Sequence, residues 1–330
     1  MNLCPTRRWR PMRRLLLLAA AACLTVPPVL ADTFPSRPLR LIVPWPAGGG
    51  TDVVVRVFAK YLSERLAQNV VVENRPGANG MIGTEVTARA TADGYTLGIA
   101  SVETHAINPQ VYRKVSYDAF RQFEPVGRIG AFPYALVIHA GVPADSIESF
   151  TAYAKKKGGA LTYGSWGVGS SSQVAMEMYK SAAGVDLMHV PFTGAAPALA
   201  ALASGQVDAL MIPVSVAASY HQSGKARILA VAAAERLPEI PAIPTLKERG
   251  FDVVGGTWLV VVAPTGVPAD RVEKLNHEME SVVHDRAFIG AMQRMSVVPA
   301  GGTPAELRKM MAAEYQRWGA AVKQANIRLD

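Results

Sequence analysis

The sequence predicts an α/β protein built as two lobes. Three observations carry this. Short runs rich in Val, Ile and Leu alternate with amphipathic stretches of helical period, the pattern of strands in βαβ units. At 330 residues the chain exceeds one ordinary domain and suits two of roughly 150. No long linker separates the two α/β series, so the chain crosses directly between closely packed lobes.

In the first series, residues 39–45 read as a strand, PAGGG as a turn and 51–66 as an amphipathic helix. A second strand follows at 70–73. The turn RPGANG opens a helix over 81–89, and 95–100 is a third strand. The second series places strands at 135–139, 161–165, 187–191, 207–212 and 228–232. Helices fall at 146–157, capped by Ser146, from a Gly/Ser loop to about 183, and at 196–203. ERLPEIPAIPTL, with three prolines, is a surface connection. A strand at 258–263 and helices at 269–284 and 304–323 end the chain. No short-period repeat points to a solenoid or propeller. The uninterrupted second series places the crossings near 125–135 and 250–258. The expected division is 1–31 as a signal peptide, 32–130 as the first part of lobe 1, 131–254 as lobe 2, and 255–330 as the return to lobe 1.

The formal net charge is +8, but Arg7, Arg8, Arg10, Arg13 and Arg14 supply five of those charges and residues 1–31 hold no acid. The remaining +3 makes no basic stripe, so a nucleic-acid partner is not expected. The arginines, the run LLLLAAAACLTV and the end at Ala31 have the three parts of a cleavable secretory signal, cut before Asp32. The apolar run is too short to span a bilayer comfortably. Cys23 lacks the Leu expected of a lipoprotein box, and Arg7-Arg8 is only a weak twin-arginine pair. Cys4 and Cys23 both lie in the segment to be removed, which leaves an exported chain without thiol chemistry.

Two loops are the candidate sites. Ala47, Gly48, Gly49, Gly50, Thr51 and Asp52 lie between a strand and a helix, where glycines let a ligand approach backbone N–H groups and the helix start favours an anion. The plain alternative is a tight turn with Thr51 or Asp52 capping the helix. Gly167, Gly169, Ser170, Ser171 and Gln173 form a second loop of the same design. It nearly spells a dinucleotide fingerprint, but Ser172 takes the third glycine's place and no acid ends the next strand. Trp45, Trp166 and Trp258 lie at or near strand ends, to pack on a ligand or in the core. Ser101, closing a strand, joins the candidates. His105, just beyond it, is read as a surface or structural residue. The histidines make no zinc pairing, and no G-x-S-x-G elbow is present, so no metal, cofactor or catalytic residue is expected.

RPLRLIVPWPAGGGTDVVVRVFA, VVVENRPGANGMIGTEVTARATADGYTLGIAS, THAINPQVY, LTYGSWGVGSSSQVAMEMYKSAAGVDLMHVPFTGAAPALAALASGQVDAL and WLVVVAPTGVP resemble, in order, the Bug family. These are the periplasmic solute-binding proteins of tripartite tricarboxylate transporters. The resemblance implies a type II periplasmic-binding-protein fold, with two lobes closing over a ligand cleft. It implies that residues 47–52 and 167–173 grip a carboxylate, largely through backbone N–H groups and ordered water. Trp45 stands where the family commonly has Phe, and Gln173 where it commonly has His; Ser170 keeps the usual Thr or Ser.

The function expected is therefore capture of a small organic carboxylate and delivery to membrane transporter subunits or a sensor. A secreted hydrolase using Ser170–Ser172 is the alternative, and it needs a base near that loop. A nucleotide-dependent oxidoreductase is a third reading, undercut by the broken fingerprint. Candidate ligands are C4–C6 dicarboxylates, citrate-like acids, aromatic carboxylates and acidic amino acids.

Overall fold

Parallel strands buried on both faces need unbroken apolar runs. Leu39–Val43 (β1, LRLIV) supplies one, with only Arg40 exposed. The computed structural model describes Met1 and residues 34–329. Residues 37–329 pack as one compact unit. The expected signal segment, its cleavage point and both cysteines lie outside the described residues, Met1 apart.

β1 is followed by α1 (Gly50–Leu66), β2 (Val70–Asn74), α2 (Met81–Ala88) and β3 (Thr96–Ala100). β1 lies between β2 and β3 and runs parallel to both. α1 buries Val54, Val55, Phe58, Leu62 and Leu66, the stripe that helical periodicity demands. A π-helical turn over Glu103–Ile107 then leads into α3 (Asn108–Val111). The sequence reading assigned no helix here; Pro109 is accommodated because it falls in the first turn, where its missing N–H costs nothing.

β4 (Phe123–His139) is a single strand of 17 residues. Only its last five residues were expected. Pro125, Gly127, Gly130 and Pro133 break the apolar alternation, and the pairing register shifts between Pro125 and Gly127 and again between Arg128 and Gly130. Bulges of this kind let the strand continue with a bend. Beyond it come α4 (Ile147–Lys157), β5 (Thr162–Ser165), α5 (Ser171–Ala183), β6 (Met188–Pro191), α6 (Ala195–Ala203), β7 (Ala209–Pro213), α7 (Val214–Gln222) and β8 (Ala226–Ala232). β9 (Gly256–Pro264), α8 (Ala269–Val283), α9 (Arg286–Arg294), β10 (Val298–Pro299) and α10 (Pro304–Gln324) complete the chain. Ser146 caps α4 with a reciprocal bond to Ser149, as the sequence reading placed it. α7 and α9 were not anticipated; Asp285 caps α9 through the N–H groups of Ala287 and Phe288.

The sheet order is β2-β1-β3-β9-β4-β7-β5-β6, with β8 and β10 also paired to β4. β5 is parallel to β6 and β7. β4, β8, β9 and β10 pair antiparallel, which the βαβ expectation did not include. β4 joins two strand groups. Phe123–Pro133 pair with β9, and Tyr134–Ile138 pair with β7 on one side while β8 lies on the other. α8 packs on α1 and β4, and α10 packs on the Glu103–Ile107 turn, β4 and α5. One core cluster gathers Tyr134, Phe150, Tyr163, Tyr179 and Trp318, and a second gathers Leu202, Leu210, Ile212 and Ile228. No helix of the described residues is long and apolar enough to cross a membrane.

Candidate functional site

The first glycine-rich turn leaves β1 at Pro44 and enters α1 at Gly50. Trp45 is half-buried, whereas Ala47, Gly48, Gly49 and Gly50 are exposed. Gly48 has φ +80°, a left-handed conformation that glycine takes without cost. A Cβ at Gly48 or Gly50 would meet open space. The N-cap Gly49 has no side chain to cap α1, so the first N–H groups of the helix point outward without a side-chain acceptor. Thr51 is half-buried and Asp52 buried.

Asp52 holds the turn from beneath. It accepts from the Gly48 N–H at 2.8 Å, from Arg56 Nε at 3.0 Å and from Asn74 Nδ2 at 2.8 Å. Asn74 also donates to the Trp45 carbonyl at 3.0 Å. Burial pushes the Asp52 carboxyl up, but the hydrogen bonds from Arg56, Gly48 and Asn74 outweigh it and hold it below the usual carboxylate range. Its charge is thus neutralised inside the turn. The Trp45 ring edge packs over Gly80, which has φ +84° and no room for a Cβ: Thr104 Cγ2 would lie at 2.8 Å and Trp45 Cη2 at 3.2 Å.

The second turn leaves β5 at Ser165 and enters α5 at Ser171. Here only Val168 is exposed, with Trp166 and Gly167 half-buried. Ser170 is the N-cap, accepting from the Gln173 N–H, and its hydroxyl donates to the Gly167 carbonyl at 2.7 Å. Gln173 Oε1 accepts from the Gly169 N–H at 2.7 Å. The Gln173 amide also meets His189 Nδ1 at 3.2 Å, and His189 Nε2 meets Ser165 Oγ at 2.7 Å. Burial lowers the His189 pKa, with Glu177 opposing and Lys180 adding to the shift. The Trp166 ring packs edge-on to Tyr134 at 5.7 Å.

Glu103, which the sequence reading passed over, ties the candidates together. It is buried, and its carboxylate accepts from the hydroxyls of Ser101, Ser171 and Thr257. Tyr134 bonds the same Ser171 hydroxyl at 2.7 Å. Ser101 and Ser171 therefore share one acceptor, while Trp45 and Thr104 both close on Gly80. An acid among small polar residues after a strand end was the only signal for Glu103. Its partners Ser171 and Thr257 lie 68 and 154 residues away in the chain. His105 is wholly buried against Tyr117 and Phe123, the structural and not the surface alternative of the sequence reading. Trp258 is a core residue whose indole N–H donates to Glu314 at 3.2 Å.

The hydroxyls of Ser170, Ser171 and Ser172 go to Gly167, to Glu103 and Tyr134, and to Met211 respectively. Ser165 does meet a histidine, but it is fully buried and also hydrogen-bonded to the Gly167 backbone. Among the described residues no group of three or more His, Cys, Asp or Glu side chains has the arrangement to hold a metal ion.

A family model described as the tripartite tricarboxylate transporter family receptor matches residues 54–327. Protein BugT of Bordetella pertussis is 33% identical over 304 residues, covering 92% of this chain and 93% of that protein. An R. palustris protein solved with adipate is 33% identical with a TM-score of 0.80, covering 89% of this chain and 99% of the other. The periplasmic binding protein BugD is 30% identical with a TM-score of 0.76, over 89% of this chain and 99% of that one. The fold is therefore the mixed α/β fold of these periplasmic binding proteins.

Proposed function

Because the chain belongs to the tripartite tricarboxylate transporter family of receptors, which bind solutes and are not enzymes, we propose that it captures a small organic carboxylate between two lobes outside the cytoplasm. The membrane subunits of a transporter of this type, or a sensor, receive the loaded form. Export follows from the signal segment at 1–31. The lobes are 32–130 with 255–330, and 131–254. The strand pairing of β4 supports this division, since its partner changes from β9 to β7 and β8 after Pro133.

The observation that carries the reading is the uncapped, exposed start of α1, with open space over Gly48 and Gly50. Backbone N–H groups at a helix start bind a carboxylate through charge-assisted hydrogen bonds. Asp52, whose charge would oppose this, is already matched by Arg56. The side chains of Ser101, Ser170, Ser171 and Gln173 are engaged inside the protein, so loop 167–173 contributes backbone groups and position rather than free hydroxyls. Trp45 and Trp166 supply flat apolar walls. The relative holding adipate makes a dicarboxylate of similar length the first ligand to try.

The test is calorimetric titration of the mature protein with adipate, then with shorter dicarboxylates, aromatic acids and acidic amino acids. One acid should bind at one per chain and raise the melting midpoint by mass action. Absence of binding across the panel, or equal binding by the uncharged amides of the same acids, would remove the carboxylate reading.

A further inference from the structure

We infer that a crevice beside the middle of β4, lined by neither glycine-rich turn, is a second binding site, for an organic monoanion with a flat apolar body. A cavity of about 580 Å3 lies there, and neither turn contributes to its walls. That volume lies within the range of roughly 300–1,000 Å3 of small-molecule sites. The walls are Phe132 and Pro133 of β4, Ala233 and Leu237 beyond β8, Trp258 of β9 and Met310 of α10. They offer rings and aliphatic carbon on several sides, which suits a planar hydrocarbon.

The charges around the cavity are Arg128, Glu235, Arg236, Glu314 and Arg317. Glu235 is exposed. Arg236 is spent on Glu248 and the Pro241 carbonyl. Arg317 is spent on Glu314 and the Val254 carbonyl, and Glu314 takes in addition the indole N–H groups of Trp258 and Trp318. Arg128 differs. Its Nε is buried with no hydrogen-bond partner among the described residues. A guanidinium stays charged and presents donors in a fixed fork. A buried donor left unmade costs free energy that an arriving carboxylate or sulfonate restores. Glu314 stands close enough for its charge to act on Arg128. A second negative group on the ligand would face that carboxylate, so the site takes one charge rather than two. This separates it from a dicarboxylate site, and it stands independently of the function proposed above.

The probe is 1-anilinonaphthalene-8-sulfonate, a flat apolar monoanion whose fluorescence rises on burial, with uncharged N-phenyl-1-naphthylamine as its partner. Circular dichroism first matches each variant to wild type. We expect one sulfonate probe per chain and binding of the uncharged probe at least 10-fold weaker. Arg128→Met should weaken the sulfonate probe at least 10-fold, with Arg128→Lys retaining part of the affinity. Ala233→Trp, which puts a large ring on the cavity lining, should block it, and Gly49→Val in the first turn should leave it unchanged. Binding that survives both Arg128→Met and Ala233→Trp, binding lost in Gly49→Val, or no saturable binding at all would each overturn the inference. If Arg128→Met does not fold, Arg128→Lys and Ala233→Trp decide it.

Discussion

Asp52 and Gln173 occupy the same place in the two glycine-rich turns. Each is the third residue of its helix, and each accepts a hydrogen bond from the N–H of the glycine four residues before it, at 2.8 Å from Gly48 and 2.7 Å from Gly169. One turn is held by a carboxylate and the other by an amide, so the geometry rather than the charge is shared. The N–H groups so tied are withdrawn from the ligand; the start of α1 stays uncapped, while at α5 Ser170 also takes the Gln173 N–H. This is a side-chain brace that fixes a glycine-rich backbone in one conformation.

Asp52→Asn should therefore keep the first turn, while Asp52→Ala should lose it. The alanine variant leaves the Gly48 N–H, Arg56 and Asn74 without their shared acceptor. We expect a loss of about 1–3 kcal/mol in urea unfolding for Asp52→Ala and a smaller one for Asp52→Asn. Equal losses would mean that charge, not the brace, matters. Because the folded carboxyl is held below its ordinary value, its contribution is fully present above pH 3.8 and fades as the pH falls through the folded pKa.

Gly49→Val and Gly169→Val should behave differently. Gly49 has φ −74°, open to any residue, and its Cβ would meet only the Pro46 carbonyl at 3.4 Å. The valine variant should fold normally and bind the best carboxylate at least about 10-fold more weakly, a change of roughly 1.4 kcal/mol. Gly169 has φ +75°, and a Cβ there would lie 2.9 Å from Val111 Cγ1 and 3.2 Å from Leu329 Cδ1. Valine at 169 should destabilise the fold itself, by about 1–3 kcal/mol. Thermal melts and calorimetry on both variants separate the two effects. Undiminished affinity in a well-folded Gly49→Val protein would place the carboxylate elsewhere.

Ser170→Ala tests whether the second turn uses its hydroxyl on the ligand. This hydroxyl caps α5 and donates to the Gly167 carbonyl. Removing it should cost about 0.5–2 kcal/mol of stability, as for other N-caps. Ligand affinity measured below the melting range should change by less than about threefold, well under the 1.4 kcal/mol of a tenfold change. A larger affinity loss without a stability loss would show the hydroxyl turned to the ligand.

Local rules made the two turns and their helices legible. LRLIV is an apolar run, Gly48–Gly50 is a turn, and Ser146 stands where a cap belongs. What escaped the reading depended on distant partners. β4 is continuous because β9, β7 and β8 supply hydrogen bonds across its prolines and glycines, which a local pattern cannot reveal. The Glu103–Ile107 turn and α3 look broken by Asn108-Pro109 and exist because α10 packs on them. Glu103 becomes a shared acceptor only when Ser171 and Thr257 are folded against it. Arg128 was likewise invisible, since a lone arginine in a strand carries no signal until its neighbours among the described residues leave its buried Nε without a hydrogen bond.

His105 gives the last prediction, through pH. Its ring lies 4.8 Å from Phe123 and 6.1 Å from Tyr117, Nδ1 meets Thr104 Oγ1 at 2.9 Å, and Nε2 has no partner among the described residues. Burial pushes its pKa down from 6.5 to about 3. Above pH 6.5 the imidazole is neutral in both states and stability is fully present. As the pH falls below 6.5 the unfolded chain takes up a proton that the folded form refuses until about pH 3. Stability therefore declines with falling pH across that window, with a limiting slope of about 1.4 kcal/mol per pH unit from this one group. His105→Leu removes the titration. Urea unfolding of both proteins at pH 7, 6, 5 and 4.5 should show a wild-type slope steeper than the variant's by up to that amount, and parallel slopes would mean that the folded protein accepts the proton at His105 as readily as the unfolded chain does.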